Sequence, residues 1–183
     1  MPQRARDQYT EWANEQPLTD IYQILAMLEP RQQGRYSDRR WIYSRNVPEL
    51  QIRWCREADS GGDSGSTEYL EIDPEAFERL VEEGLVAPNM LRYGGGVRLE
   101  GHKLVPTDAG RSRLRVYLAA QREAARKLVV PGEHTKFSAT LFPQGQGYEG
   151  FHGEGPLYFE FVTPMNERLR VYPRTNKVER IDQ

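Results

Sequence analysis

Residues 73–115 decide the predicted fold and read DPEAFERLVEEGLVAPNMLRYGGGVRLEGHKLVPTDAGRSRLR. Asp73 is a suitable N-cap, and Pro74 suits the first helical position, where its missing N–H breaks no hydrogen bond. Three apolar residues recur at helical spacing and form one face, namely Phe77, Leu80 and Val81. Gly84 readily takes the left-handed conformation that ends helices. The sequence therefore predicts a short amphipathic helix over residues 73–83.

A hairpin and a long helix are predicted after this short helix. Two apolar runs lie within residues 91–105, with the turn at either Gly94–Gly96 or Glu100–Gly101. Apolar runs around a glycine turn are typical of a two-stranded hairpin. Thr107 then suits the N-cap of a helix that extends to about Leu128. The residues predicted to share a core here are Phe77, Leu80, Val81, Leu85, Leu114, Tyr117 and Leu118.

The order of these elements resembles a known family. Helix, Gly-Leu-Val, hairpin, Leu-Val-x-Thr-x-x-Gly-Arg and helix follow one another as in the second half of a winged-helix domain of bacterial transcription regulators. The resemblance covers residues 73–115, less than a quarter of the chain. In such regulators the helix before the hairpin usually enters the DNA major groove. The resemblance thus implies a DNA-binding or DNA-associated regulatory protein.

One strong helix and three strands are predicted upstream of the resemblance. The helix ends near Pro30, and its apolar face holds Ile21, Ile24, Leu25 and Leu28. Alternating apolar residues then predict three strands within residues 41–72. Residues 48–58 have two interpretations. A helix begun by Pro48 would supply the middle helix of a winged-helix unit, whereas the alternation of Leu50, Ile52 and Trp54 favours a strand.

Alternation returns in the C-terminal part of the chain. It predicts four antiparallel strands, at residues 136–142, 157–163, 168–172 and 177–181. A glycine-rich loop between the first two would present Tyr148 and Phe151. The predicted fold class is therefore α+β, with a winged-helix-like domain and a C-terminal antiparallel extension or subdomain. The domain covers residues 1–128, with N-terminal helices, strands over 41–72 and helix–hairpin–helix over 73–128. The extension covers residues 129–183.

Composition limits the functional classes. Charged residues make up 28% of the chain and the formal net charge is −2, so no overall charge attracts the protein to nucleic acid or anionic membranes. The single Cys55 excludes an internal disulfide and fits a reducing compartment. No apolar run is long enough for a membrane span, and the polar start is unlike a signal peptide. A cytoplasmic protein is expected; its oligomeric state stays open, a homodimer included.

No residue pattern in the sequence indicates catalysis. His102, His134 and His152 lie in separate turns without the spacing of a metal site. Cys55 lies in an alternating strand without a catalytic signature, so a small buried residue is the favoured interpretation. The Gly94–Gly96 run lacks the following Lys and Ser or Thr of a phosphate loop. We therefore predict a non-enzyme without metal or cofactor.

Charge distribution indicates where a partner would bind. The helix over 73–83 is strongly acidic and would be repelled by DNA. The basic residues lie in the hairpin and on one side of the long helix, within an arc of about 60°. Double-stranded DNA would therefore contact Arg92, Arg98, Lys103, Arg111, Arg115, Arg122 and Arg126. The alternative is a protein-interaction module, a subunit or inhibitor of a larger assembly. It would use the C-terminal strands together with Glu75, Glu78, Glu82, Tyr148 and Phe151.

Overall fold

The computed structural model confirms an α+β protein. It describes residues 16–30, 32–33, 36–37, 39–45, 50–57, 67–88, 102–129, 149–151, 155–163 and 167–181. Over these residues the chain forms three helices, which are α1 (Ile21–Leu28), α2 (Pro74–Glu82) and α3 (Asp108–Val129). The strands are β1 (Gln32–Gln33), β2 (Tyr36–Ser37), β3 (Arg39–Arg45), β4 (Gln51–Glu57), β5 (Thr67–Glu71), β6 (Val86–Pro88), β7 (His102–Pro106), β8 (Glu149–Phe151), β9 (Leu157–Val162), β10 (Arg168–Tyr172) and β11 (Lys177–Ile181).

The chain divides into two compact units, Met1–Arg111 and Ser112–Gln183. The division falls within α3, so the first helical turn belongs to the N-terminal unit and the remainder to the C-terminal unit. The boundary expected after residue 128 stays a prediction, because a division inside one helix does not identify separately folding parts. Each unit is described by itself below.

A five-stranded antiparallel sheet in the order β5-β4-β3-β7-β6 forms the centre of the N-terminal unit. Its inner face carries a row of buried apolar residues. In this row Trp54 pairs with Ile42 on one side and with Leu70 on the other. Leu104 extends the row beyond Ile42. Residues 51–57 therefore form a strand paired on both sides, and the alternative helix begun by Pro48 is wrong. The alternation of period two decides it, since a helix would scatter these residues around its axis.

Helix α1 packs on the inner face of this sheet. Asp20 caps it by accepting hydrogen bonds from the backbone N–H groups of Tyr22 and Gln23, at 3.0 and 3.3 Å. Ile24, Leu25 and Leu28 are fully buried. Carbonyl groups in the last turn of a helix lack helical donors. The Met27 carbonyl accepts instead from the indole N–H of Trp54 and the guanidinium of Arg40, at 3.0 and 3.1 Å.

Helix α2 follows the predicted capping pattern, but its buried face differs from the expected one. Asp73 accepts from the backbone N–H of Ala76 at 3.1 Å, and Gly84 ends the helix region with φ of 64°. Ala76 and Leu80 are the buried residues of this helix. Val81 is 44% exposed, so its predicted place in the core is wrong; Phe77 is half-buried. The short helix packs along the Ala76–Leu80 line, and residue 81 projects about 100° away from Leu80.

The hairpin begins earlier than predicted. Val86–Pro88 pairs with residues 104–106 of β7, so the Leu-Val-Ala-Pro segment supplies its first strand. The first predicted apolar run, which begins at Leu91, and both candidate turns lie outside the described residues. Burial explains the early start, since Leu85 and Val86 both enter the core.

The Leu-Val-x-Thr-x-x-Gly-Arg motif joins the hairpin to α3. The Thr107 hydroxyl accepts from the Gly110 N–H at 3.1 Å, which confirms Thr107 as a cap, and donates to the Gly84 carbonyl at 2.7 Å. The Thr107 N–H also donates to the Leu85 carbonyl at 3.0 Å. A side chain at residue 110 would collide with that carbonyl, so the glycine of the motif serves close packing.

The C-terminal unit contains a four-stranded antiparallel meander in the order β11-β10-β9-β8. Strands β10 and β11 have the predicted bounds, and Leu157, Phe159 and Phe161 of β9 are buried as expected. The predicted strand at 136–142 lies outside the described residues. Glu149–Phe151 was predicted as loop, yet it forms β8 and pairs with β9. Phe151 is the reason, because it lies opposite Leu157 and is buried despite the glycines around it.

Candidate functional site

The outer face of the five-stranded sheet, opposite α1, carries the most distinctive side chains of the N-terminal unit. Strand alternation sends the odd-numbered residues of β3, β4, β5 and β7 to this face. In one cross-strand row, Cys55 lies between Trp41 and Tyr69. The neighbouring row is formed by Glu71, Arg53, Tyr43 and Lys103. We call these residues, together with Arg39, Arg45, Gln51 and Glu57, the outer face.

Cations and aromatic rings alternate on the outer face and contact one another. The ammonium of Lys103 lies 4.3 Å from the ring centre of Trp41, and the guanidinium of Arg53 lies 4.9 Å from that of Tyr69. Both contacts are diagonal between adjacent rows, which the register of the strands imposes. Such contacts at exposed sites contribute about 0.5–1 kcal/mol. These contacts order the side chains, but they are weak enough for a ligand that binds more strongly to replace them.

The outer face is accessible and positively charged. Tyr69 is 41% exposed, and Trp41, Tyr43, Arg53 and Lys103 are partly exposed. The described side chains of this face include four cations, Arg39, Arg45, Arg53 and Lys103, and two acids, Glu57 and Glu71. The excess of two positive charges contrasts with the formal net charge of −2 of the whole chain.

Cys55 in the middle of the outer face is not a nucleophile at neutral pH. It is buried, in agreement with the interpretation from the sequence. Burial raises the pKa of its thiol from the ordinary value of 9.0 to about 11, although the charges of Arg53 and Lys103 oppose the rise. A catalytic cysteine needs the opposite shift, since the thiolate is the reactive species. Cys55 is therefore a small uncharged side chain between the two larger rings.

The predicted basic residues lie in different parts of the structure. Lys103 belongs to the outer face, whereas Arg92 and Arg98 lie outside the described residues. Arg111 contacts Glu29 at 3.6 Å and Asp108 at 3.4 Å, so two carboxylates share its charge. The remaining three belong to the C-terminal unit, where Arg115 is exposed, Arg122 is partly buried and Arg126 pairs with Glu123 at 3.0 Å.

The residues of the protein-interaction alternative are also separated. Glu75, Glu78 and Glu82 are exposed on α2, as an interface would require. Tyr148 lies outside the described residues. Phe151 is buried in β8, beneath the guanidinium of Arg174 at 5.1 Å, so it does not project into solvent.

A second charged cluster lies on the C-terminal meander, and its charges are matched by one another. Glu160 accepts from Arg170 at 2.9 Å and from Arg168 at 3.2 Å. The Arg170 guanidinium also lies 4.4 Å from the ring centre of Tyr158, and the Tyr172 hydroxyl donates to Glu179 at 3.2 Å. These contacts stabilise neighbouring strands and account for the cluster structurally.

Sequence reasoning missed the aromatic half of the outer face. Trp41 and Tyr43 were assigned to a strand, but neither they nor Arg53 and Tyr69 were candidate site residues. A signal was present, because the segment 39–45 alternates basic or aromatic residues with the residues that face the helix. The pairing across β3, β4, β5 and β7 was needed to gather these residues on one surface.

Comparisons with known proteins add no functional assignment. No protein-family model, curated protein or solved structure matches this chain. Among the described residues, no group of three histidine, cysteine, aspartate or glutamate side chains is placed to hold a metal ion. Within the same part of the chain, none of the helices has the length and apolarity needed to cross a membrane.

Proposed function

We propose that this chain is a non-catalytic DNA-binding or DNA-associated accessory protein of winged-helix type. We also propose that the protein acts in the cytoplasm and uses no cofactor. It rests chiefly on the outer face, where cations are interleaved with aromatic rings on an accessible surface. Cations neutralise phosphates, and aromatic rings contact sugars and bases.

The winged-helix part of the proposal has support from topology. Helix α2 precedes the hairpin and α3 follows it, and β3 pairs beside β7 as a third strand of the small sheet. In chain order, strands β4 and β5 occupy the position that the middle helix has in a winged-helix domain. The proposal is therefore a winged-helix variant whose sheet is widened by two strands.

Charge favours the outer face over α2 as the DNA contact. Exposed Glu75, Glu78 and Glu82 lie on α2, while Arg79 shares its charge with Glu83 at 3.6 Å. Bringing this helix into a groove would place carboxylates beside phosphates, and like charges at close range are repelled. The DNA contact is thus assigned to the outer face, with Lys103 as its residue in the hairpin.

A binding titration with charge-reversed variants tests this proposal. Labelled duplex and single-stranded oligonucleotides are titrated at low salt with wild type and with the double variant Arg53→Glu/Lys103→Glu. We expect the variant to lose binding, because two attractive contacts become repulsive. The matched control is Arg79→Glu/Arg180→Glu, which changes the net charge equally at exposed residues that are not part of the outer face.

Two results would contradict the proposal. One is the absence of binding to either form of DNA at low salt, where electrostatic attraction is least screened. The other is an equal loss of binding in the control variant, because net charge rather than the outer face would then be responsible.

A protein partner on α2 is the second candidate function. Val81 is 44% exposed, and its neighbours Glu78 and Glu82 are exposed acids. An apolar residue bordered by acids would fit a partner with an apolar site and a basic rim. This candidate predicts no DNA binding by the wild type at low salt. It also predicts that Glu78→Lys/Glu82→Lys abolishes partner binding, whereas under the DNA proposal the same change strengthens DNA binding by removing repulsion.

A further inference from the structure

We infer that the outer face binds single-stranded DNA in preference to duplex, with bases stacked on Trp41, Tyr43 and Tyr69. The inference rests on the proposed function and specifies the form of DNA at the same site. Its geometric basis is the set of three accessible rings, two on β3 and one on β5, joined by cations that contact two of them.

The breadth of the sheet argues against entry into a duplex groove. Strands lie about 4.8 Å apart, so a five-stranded sheet is about 19 Å across. The major groove is about 12 Å wide and admits a helix or a two-stranded ribbon. An undistorted major groove therefore does not admit the whole sheet, and contact with duplex phosphates alone would leave the aromatic rings of the outer face without a function in binding.

The spacing of the rings suits unstacked bases. Trp41 and Tyr43 are two residues apart on β3, so their Cα atoms are separated by about 7 Å. Tyr69 lies two strands from Trp41, about 10 Å away in the same row. Bases in a duplex stack at about 3.4 Å and cover one another's faces. An extended single strand can place successive bases at these wider intervals and expose their faces to the rings.

The two cations that contact the rings can pair with phosphates when single-stranded DNA binds. Stacking of a base on an aromatic ring is stronger than a cation–ring contact at an exposed site. The base therefore replaces the ammonium of Lys103 on Trp41 and the guanidinium of Arg53 on Tyr69. Each cation then pairs with a phosphate of the same strand, so the exchange satisfies both groups.

Stacking without groove contacts predicts little dependence on base sequence. Every base has an aromatic face, and stacking platforms of this kind are tolerant of sequence. Cys55, between Trp41 and Tyr69, is buried, so it adds no polar group that would distinguish one base from another.

Binding measurements with ring-deleted variants test the inference. A labelled thymidine oligomer of about twelve nucleotides, within the usual range of site sizes, is compared with a duplex of equal length and a uridine oligomer. We expect wild type to bind the thymidine oligomer at least tenfold more tightly than the duplex. Trp41→Leu and Tyr69→Leu should each weaken single-strand binding by roughly 5- to 150-fold, the loss of one stacked base.

Three controls separate stacking from folding. Tyr158→Leu removes a partly exposed ring from the C-terminal meander and should leave the affinity unchanged. Trp41→Phe keeps a ring and should retain most of the binding that Trp41→Leu loses. Tyr69 is exposed on an edge strand, so Tyr69→Leu is expected to fold normally, which circular dichroism checks.

The possible outcomes distinguish this inference from the proposed function. Equal affinity for duplex and thymidine oligomer, with both ring deletions neutral, would overturn the inference and leave electrostatic DNA binding intact. No binding to any DNA at low salt would overturn both. A clear preference for the uridine oligomer would overturn the assignment of DNA as the ligand.

Discussion

Cys55 shows how one side chain records its surroundings. Its thiol lies in a cross-strand row between Trp41 and Tyr69, and burial raises the pKa of the thiol to about 11. Reactivity toward alkylating reagents depends on the thiolate fraction. The residue is thus a reporter of the integrity of the outer face, since unfolding restores the ordinary pKa.

The shifted pKa of Cys55 predicts slow alkylation and a decline of stability in alkali. At pH 8 the thiolate fraction should be about 100-fold lower in the folded chain than in the unfolded one, and iodoacetamide should react correspondingly more slowly. The folded state holds the proton more tightly, so this stabilising contribution is complete below pH 9 and is lost as the pH rises toward 11.

Urea titrations of wild type and Cys55→Ser at pH 7 and pH 10 measure the predicted loss of stability in alkali. Serine does not ionise in this range, so the difference between the two proteins isolates the thiol from other titrating groups. An equal alkylation rate with and without denaturant would contradict the prediction.

The last turn of α1 makes side-chain hydrogen bonds that hold the helix on the sheet. The Met27 carbonyl has lost its helical donor, and side chains from β3 and β4 replace it. This carbonyl accepts one hydrogen bond from Arg40 and one from Trp54, which fixes the helix along both strands. Trp54 therefore acts as packing for the core and as a polar contact for the helix end.

Replacing Trp54 by phenylalanine tests this contact. Trp54→Phe keeps an aromatic ring but removes the buried N–H and part of the volume, so the free energy of unfolding should fall by about 2–4 kcal/mol. Trp41→Phe is the matched control on the outer face, where the ring is partly exposed, and it should cost about 0.5 kcal/mol or less. Chemical denaturation of both variants measures the difference. Equal losses of unfolding free energy would show that the hydrogen bond from Trp54 to the Met27 carbonyl contributes little to stability.

At the scale of the whole molecule, local signals determined most of the predicted elements. Strands β10 and β11 matched their predicted bounds, because turn residues separate them and their alternation is regular. The error at Val81 arose because periodicity does not say which edge of an apolar stripe a partner covers. Strand β8 was missed because its glycines indicate a loop, while the pairing with β9 is a tertiary effect.

The candidate site was predictable only in part. Lys103 is a candidate from its charge in the predicted hairpin, and the outer face gives it an aromatic neighbour, Trp41, that no local pattern could supply. Trp41 and Tyr69 are 28 residues apart in sequence, and the strand order brings them into one cross-strand row, on either side of Cys55. Residue types were visible in the sequence, whereas register between distant strands is a property of the assembled sheet.

Under the proposed function, the charge of the outer face, rather than that of the whole chain, should determine how the affinity for DNA depends on salt. Four cations releasing counterions from a single strand predict a slope of log affinity against log salt of about −3, or roughly a 50-fold loss between 50 and 200 mM. Arg53→Gln/Lys103→Gln should reduce the slope by about 1.4, since each lost contact removes about 0.7. Fluorescence anisotropy over this salt range measures both slopes. An unchanged slope in the variant would exclude these two residues from phosphate contact.

The strand order β5-β4-β3-β7-β6 has a consequence for synthesis on the ribosome. Strand β3 can pair with β4 as soon as both have emerged, but its other partner, β7, ends at Pro106. About sixty residues separate the ends of β3 and β7, which at about 5–20 residues per second amounts to roughly 3–12 s of translation. During that interval β3 presents an unpaired edge, the kind of surface on which extended chains associate. Completion of the hairpin closes the edge.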